Sequence, residues 1–268
     1  MFSKLFFTFT RKHPVIFWGS SAILVLILLV NILVYFYVQA RYAHLPSVEN
    51  LREIQIEVPL RVFTHNGELL GEFGEIRRTP LAIAEIPKQL INAFVSAEDD
   101  EFFQHSGIDY SGMLRSLYIN IKRNTKAQGA STITMQLARN YFLTKKKTWR
   151  RKRDEIILAS KIEKEFTKKE ILELYLNKIY FGNRAYGIGA AAQVYYGKSV
   201  NELSLTQIAM IAGLPQSPTR YNPIVNPIRA LDRRNYVLRR MLKLGYVDGE
   251  AFRKALTTED DAQLHNQI

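Results

Sequence analysis

Residues 96–107, SAEDDEFFQHSG, form the stretch that most constrains the fold and the chemistry of this chain. Four consecutive acids, Glu98–Glu101, end a segment in which Leu90, Phe94 and Ala97 fall on one face of a predicted helix. Carboxylates crowded at a helix end repel one another, so we expect at least one of them to have a raised pKa. A simple charge cluster at a helix terminus is the alternative interpretation.

The helical period continues downstream of this stretch. Apolar residues recur every three to four positions in residues 156–166 and again in 171–179. Thr167–Glu170 and Ser204–Gln207 have the form of capping boxes, which mark helix starts. The pattern therefore predicts a mainly α-helical body.

A small β element is predicted before that body. Leu60–Glu75 alternates apolar and polar residues around a turn at His65–Glu68, whose Asn-Gly pair is typical of hairpins. We therefore predict a linker with a short β-hairpin at residues 39–80, one helical domain at 81–250, and a C-terminal tail at 251–268.

The N-terminal region contains a predicted transmembrane helix. Residues 15–38 include no charge and are long enough to cross a hydrocarbon core of about 30 Å. Lys4, Arg11 and Lys12 precede this segment, so the positive-inside bias puts residues 1–14 in the cytoplasm and the remainder outside. A cleaved signal peptide is the alternative, although the apolar run is longer than usual for one.

Composition and charge exclude several classes of protein. The chain of 268 residues has no cysteine, which excludes disulfide scaffolds, thiol nucleophiles and thiolate metal sites. Its net charge is +12, and residues 110–153 hold twelve Lys and Arg without one acid. Such a stretch favours a phosphate-bearing or lipid partner over a merely solvated face, and both over nucleic acid. The apolar residues 112–121 ahead of it could also enter a membrane interface.

A second acidic position lies beyond the basic stretch. Glu155 follows Arg151 by one helical turn, and an exposed pair at this spacing is worth only a few tenths of a kcal/mol. His105 has no ligand partners at metal spacing and is interpreted as structural. Arg233 and Arg234 are also interpreted as structural.

Taken in order, five motifs resemble those of the peptidoglycan glycosyltransferases, glycosyltransferase family 51. They lie at Glu98–Gly107, Gly129–Gln136, Arg151–Glu155, Glu170–Gly182 and Arg233–Leu238. The resemblance implies a lysozyme-like helical fold and an enzyme that polymerises lipid II into β-1,4-linked glycan, with inversion at the anomeric carbon and release of undecaprenyl diphosphate.

The resemblance also assigns roles to residues. It makes Glu98 the general base for the acceptor hydroxyl and Glu155 the second carboxylate, which orients the cations. Arg139, Arg151 and Lys152 match positions that bind the donor diphosphate. The other positions that it implies for substrate binding are Asp99, Phe102, Gly129, Ser131, Thr132, Gln136, Asn140, Asn177 and Tyr180.

Cofactors, partners and location follow from the same resemblance. No cofactor is firmly expected, although a divalent cation, Mg²⁺ or Mn²⁺, could assist at the diphosphate. Lipid II, the growing glycan strand and membrane lipids are the expected partners, and other wall-synthesis proteins or a second copy are further candidates. We expect no nucleic acid. The expected location is the cytoplasmic (inner) membrane, crossed once, with the catalytic domain in the periplasm.

Two other functions stay open at this stage. The same carboxylates would suit a lysozyme-like hydrolase or lytic transglycosylase, and an inactive membrane scaffold would need neither. The Ser-x-x-Lys and Lys-Thr-Gly motifs of a penicillin-sensitive transpeptidase do not occur in this sequence. We expect a piece of a bifunctional family member rather than a monofunctional enzyme.

Overall fold

The structure is a computed structural model that describes residues 14–52, 60–67, 69–73, 77–123, 131–144, 146 and 148–265. The chain divides into two compact units, Met1–Pro46 and Ser47–Ile268.

The first unit contains helix α1, Pro14–His44. Residues Trp18–His44 of this helix have the length and hydropathy needed to span a membrane. The helix therefore includes the predicted span and extends past its expected end at Val38. Asn31 donates its amide hydrogen to the Ile27 carbonyl at 2.8 Å, so its polar group is satisfied within the helix.

The second unit begins with a 3₁₀ turn, Glu49–Arg52, and the predicted β-hairpin. Strand β1, Leu60–Phe63, pairs antiparallel with β2, Leu69–Phe73. Gly67 adopts φ +84° in the connecting turn, a conformation that glycine reaches without steric cost. The Asn-Gly signal is thereby confirmed.

The rest of the second unit is mainly helical, as predicted. Its helices are α2 Lys88–Glu98, α3 Tyr110–Arg123, α4 Ile133–Phe142, α5 Trp149–Glu165, α6 Lys168–Lys178, α7 Ile188–Tyr196, α8 Leu205–Gly213, α9 Pro227–Lys243 and α10 Gly249–Thr257. Further 3₁₀ turns lie at Ile83–Glu85, Val200–Glu202 and Leu214–Gln216. A small sheet joins β3, Arg77–Arg78, in parallel to β5, Ala185–Tyr186, which pairs antiparallel with β4, Tyr180–Gly182.

Both predicted capping boxes start helices. The Glu170 carboxylate accepts the Thr167 amide N–H at 2.7 Å, and the Gln207 side chain accepts the Ser204 amide N–H at 3.0 Å. Each box satisfies amide groups that a helix start leaves without an intrahelical partner.

Helix α8 lies at the centre of the core and is buried along most of its length. It packs against α2 and α9. Gly213 at its end lets α9 approach closely, because a Cβ there would stand 2.9 Å from the Arg233 Cγ. This packing brings the C-terminal end of α2 against the middle of α9, and the site lies at that junction.

The predicted boundaries of the helical domain differ from the structure at both ends. Residues 249–257 form helix α10, and the following segment is bound to the domain: the Gln263 and His265 amides donate to the Tyr195 and Val194 carbonyls at 3.0 Å. The expected C-terminal tail is therefore part of the folded unit through residue 265. Strand β3 likewise joins the domain ahead of the predicted start at residue 81.

Candidate active site

A cleft of about 670 Å³ opens at the C-terminal end of α2. Its walls come from that helix end, from α3, from the start of α4 and from α9. The lining residues that matter below are Glu98, Asp100, Ser131, Thr132, Gln136, Arg139, Arg233 and Arg240. Five positions predicted from the sequence to act on substrate, Glu98, Ser131, Thr132, Gln136 and Arg139, thus meet in one cavity, and Asp99 also reaches its wall.

Glu98 is the last residue of α2 and is held by groups from two other helices. Arg233 Nη2 donates to Glu98 Oε1 at 3.1 Å, and Gln136 Nε2 donates to Glu98 Oε2 at 3.0 Å. The side chains of Glu98 and Arg233 are each 9% exposed. Both carboxylate oxygens are therefore fixed in a poorly hydrated setting at the cleft wall.

Burial raises the pKa of Glu98, and the nearby charges of Arg233 and Arg139 oppose that shift only in part. Tyr175 extends the arrangement, because its buried hydroxyl donates to Gln136 Oε1 at 3.3 Å. That hydrogen bond fixes the Gln136 amide so that its NH₂ faces Glu98. A fixed carboxylate with a raised pKa can take a proton from a substrate hydroxyl near neutral pH.

Asp99, next to Glu98, connects the loop after α2 to the start of α4 through hydrogen bonds. Its Oδ2 accepts the Ile133 amide N–H at 2.9 Å at the start of α4, and its Oδ1 lies 2.9 Å from His105 Nε2. The Gly107 amide donates to His105 Nδ1 at 3.1 Å, so Nδ1 is the acceptor nitrogen and Nε2 carries the proton. Thr132 Oγ1 closes the network by donating to the Gly107 carbonyl at 2.7 Å. The network ties the loop after Glu98 to the start of α4.

A third acid of the cluster is paired across the cleft. Arg240 Nη2 lies 2.5 Å from Asp100 Oδ2, and Arg240 Nε donates to the Ser96 carbonyl at 3.1 Å. Arg115 of α3 lies 4.0 Å from the same carboxylate. Glu98, Asp99 and Asp100 therefore each have partners of their own, which offset the repulsion between neighbouring carboxylates.

Glu155 forms a second cluster on α5. It is 1% exposed and lies 3.0 Å from Arg151 Nε, an ion-pair distance without the alignment of a hydrogen bond. Lys152 Nζ donates to Glu155 Oε2 at 3.1 Å and to Ser131 Oγ at 2.7 Å. Ser131 lines the cleft, so it links this cationic cluster to the cavity that holds Glu98.

Four more residues predicted to bind substrate lie outside both the cleft and the cluster around Glu155. Phe102 is fully buried, with Lys168 Nζ 4.4 Å above its ring, so it packs in the core. Asn177 is buried and exchanges hydrogen bonds with the backbone of Leu81. Tyr180 and Asn140 are exposed, and neither lines the cleft. Gly129 lies outside the described residues.

The sequence analysis did not predict that Arg233 contacts Glu98. Arg233 was interpreted as structural, yet it pairs with Glu98, while Arg234 does have a structural role and donates to the carbonyls of Leu256 and Thr258. The spacing of Arg233 and Arg240, two helical turns apart on α9, was the available signal.

The donor set around Glu155 does not fit a divalent cation. Its two oxygens each face a cation, Arg151 or Lys152. Within the described ranges, no group of three or more His, Asp or Glu side chains is placed to hold a metal.

Fold and site together define a helical domain in which a cleft carboxylate is flanked by cations suited to an anionic leaving group. The transglycosylase family model matches residues 66–242, and the chain belongs to this family.

The chain is similar to penicillin-binding proteins 1A. It is 54% identical to that of Pseudomonas aeruginosa over 223 residues. This alignment covers 83% of this chain and 27% of the relative. It is 46% identical over 221 residues to that of Escherichia coli K12, with 82% and 26% covered. The crystal structure of penicillin-binding protein 1A from Haemophilus influenzae matches with 31% identity and a TM-score of 0.47, over 80% of this chain and 22% of that one. The chain thus spans about a quarter of the length of these relatives.

Proposed function

We propose that this chain is a membrane-anchored peptidoglycan glycosyltransferase that polymerises lipid II during cell-wall synthesis. The main support for the proposal is the setting of Glu98. Gln136 and Arg233 hold its carboxylate at the wall of the cleft, and burial raises its pKa. Family membership supports the reaction class.

In the proposed reaction Glu98 accepts the proton of the acceptor's 4-hydroxyl as that oxygen attacks the donor's anomeric carbon. The new C–O bond forms on the face opposite the breaking bond, so an α-linked donor gives a β-1,4 product. The leaving undecaprenyl diphosphate carries away the electron pair of the broken bond. The charge of Arg233 favours the carboxylate form of the base over the acid and so opposes the effect of burial.

The departing diphosphate needs cations, and the site supplies them in two places. Arg139 lines the cleft, and Lys152 reaches its edge through Ser131. Arginine and lysine both suit phosphate oxygens, arginine because its planar fork binds two at once. In this scheme Glu155 keeps Arg151 and Lys152 in position for the diphosphate without lying in the cleft itself.

A lipid-linked substrate requires a membrane, and two features support an association. Helix α1 is apolar over a membrane-spanning length. On α3, Tyr110, Leu114, Tyr118 and Ile121 fall on one helical face and are each at least 65% exposed. We propose a single-pass protein of the cytoplasmic membrane with its N-terminus inside and its catalytic domain in the periplasm, following the positive-inside bias.

The test is polymerisation of purified lipid II by the detergent-solubilised chain, with glycan products separated by length. We expect long strands from the wild type and none from Glu98→Gln, which keeps the shape of the side chain but cannot accept the proton. Glu259→Gln makes the same change on an exposed residue outside the cleft and should leave the products unchanged.

Two outcomes would contradict the proposal. If the folded Glu98→Gln variant produced normal glycan strands, Glu98 could not be the general base. Shortening of preformed glycan, with no polymer from lipid II, would favour the hydrolase instead, because buried acidic residues serve both reactions.

A further inference from the structure

Trp149, the first residue of α5, has a side chain that is 92% exposed. Tryptophan has a large apolar surface and is highly buried on average, so an indole this open is unusual. The helix start beneath it is ordered, since Thr148 Oγ1 accepts the Arg151 amide N–H at 3.1 Å. A capped helix therefore holds the indole out from the domain.

The surroundings of this indole are cationic. Lys146 and Arg150 are exposed on either side of it in the chain. The cations that follow on α5 have carboxylate partners: Glu155 for Arg151 and Lys152, and Asp154 for Arg153. Among the described cations beside Trp149, Lys146 and Arg150 are the ones whose side chains are exposed to solvent.

An indole flanked by cations has the composition of a bilayer interface. Tryptophan is enriched at the level of the lipid headgroups, where its ring is partly apolar and its N–H finds a partner. Lys and Arg side chains near an anionic membrane surface are attracted to it. A sugar stacked on the ring is the competing occupant, but a neutral sugar does not account for the flanking charge.

We infer that Trp149, Lys146 and Arg150 form an interfacial anchor that seats the start of α5 in the headgroup layer of an anionic bilayer. A consequence of this anchor rests on the proposed function. With a rise of about 1.5 Å per residue, Arg151 and Lys152 lie roughly 3–5 Å along the helix from Trp149. The anchor would therefore hold the proposed diphosphate-binding cations near the depth of a lipid-linked diphosphate.

The test uses the full chain with Trp18→Phe, which leaves Trp149 as the single tryptophan. The protein is placed in nanodiscs of phosphatidylglycerol whose acyl chains are brominated either near the carbonyl or near the terminal methyl. We expect bromine near the carbonyl to quench most of the fluorescence, bromine near the methyl to quench it less, and acrylamide in water to quench it weakly.

Lys146→Gln with Arg150→Gln, or replacement of the lipid by phosphatidylcholine, should weaken the bromine quenching and increase the acrylamide quenching. Equal, strong acrylamide quenching in every bilayer, with no effect of bromine, would overturn the inference. A fluorescence change produced only by soluble glycan strands would also overturn it and would assign the indole to sugar.

The enzymatic consequence has its own readout. Trp149→Ala should raise the lipid II concentration at half-maximal rate several-fold in bilayers and leave it unchanged in detergent, whereas a general structural defect would appear in both. Quenching by bromine without any polymerisation would keep the anchor and reject the proposed function. Polymerisation without quenching by bromine would keep the proposed function and reject the anchor.

Discussion

Replacement of Arg233 by Gln should move the pH dependence of polymerisation rather than simply abolish it. The Arg233 guanidinium lies 3.1 Å from Glu98, and both side chains are 9% exposed, so water screens the pair little. An opposite charge at this range favours an ionised carboxylate by about 1.4–4 kcal/mol, or tenfold to a thousandfold in its protonation equilibrium. Burial already raises the pKa of Glu98, and loss of the cation raises it further.

The sign of the effect follows from the role of the base. Glu98 must be deprotonated to act, so kcat/KM falls as pH drops through its pKa in the free enzyme. In Arg233→Gln this acid limb moves to higher pH. At pH values below this displaced limb the variant should be less active than the wild type, by at most about tenfold to a thousandfold, and its activity should recover as the pH is raised.

The assay is the initial rate of glycan formation at low lipid II concentration across a pH series. Arg234→Gln is the matched control, because that neighbouring guanidinium donates to the Leu256 and Thr258 carbonyls and not to Glu98. It should lower thermal stability without moving the acid limb. An acid limb at the same pH in Arg233→Gln and wild type, with both proteins folded, would show that Arg233 does not set the pKa of the base.

Three further predictions follow. In the wild type the acid limb should lie above pH 4.5, the ordinary pKa of a glutamate, because burial raises the pKa of Glu98; a limb below that value would contradict the assignment of the base. Glu155→Gln removes a carboxylate that is 1% exposed from beside two cations, so stability should fall by about 3 kcal/mol in a denaturant titration and polymerisation should fall with it. Gly107→Ala should cost about 1–3 kcal/mol in the same titration, because Gly107 has φ +90° and a Cβ there would stand 3.1 Å from the Ala159 carbonyl oxygen. Gly249→Ala, where the nearest atom would be 3.4 Å away, should cost much less, and equal losses would count against the steric argument.

Much of the local structure could be predicted from the sequence. The Asn-Gly turn formed the hairpin, both capping boxes started helices, and the apolar segment became one long helix, because each signal acts within a few residues of itself. Predictions were weaker where a segment had no strong local signal. Residues 249–257 lack a long apolar run, yet they fold as a helix that packs against α8 and α9.

The residues of the site also differ in whether a local sequence signal predicts their placement. The run of four acids marked the region locally, and only the family resemblance singled out Glu98 within it; Phe102 matched the same motif but lies in the core. Which of the adjacent acids faces the cleft depends on where α2 ends. Asp99 turns to His105 and the start of α4 while Glu98 faces Gln136, and no short-range rule distinguishes them.

The mainly helical class, the apolar N-terminal segment, the hairpin and the residue types of the site follow from the amino-acid sequence, because periodicity, capping and charge are properties of neighbouring residues. The pairing of Glu98 with Arg233, 135 residues further along the chain, arises from the tertiary packing of the helices. That contact exists because Gly213 lets α9 pack closely on α8, and such long-range packing depends on how complete surfaces fit together.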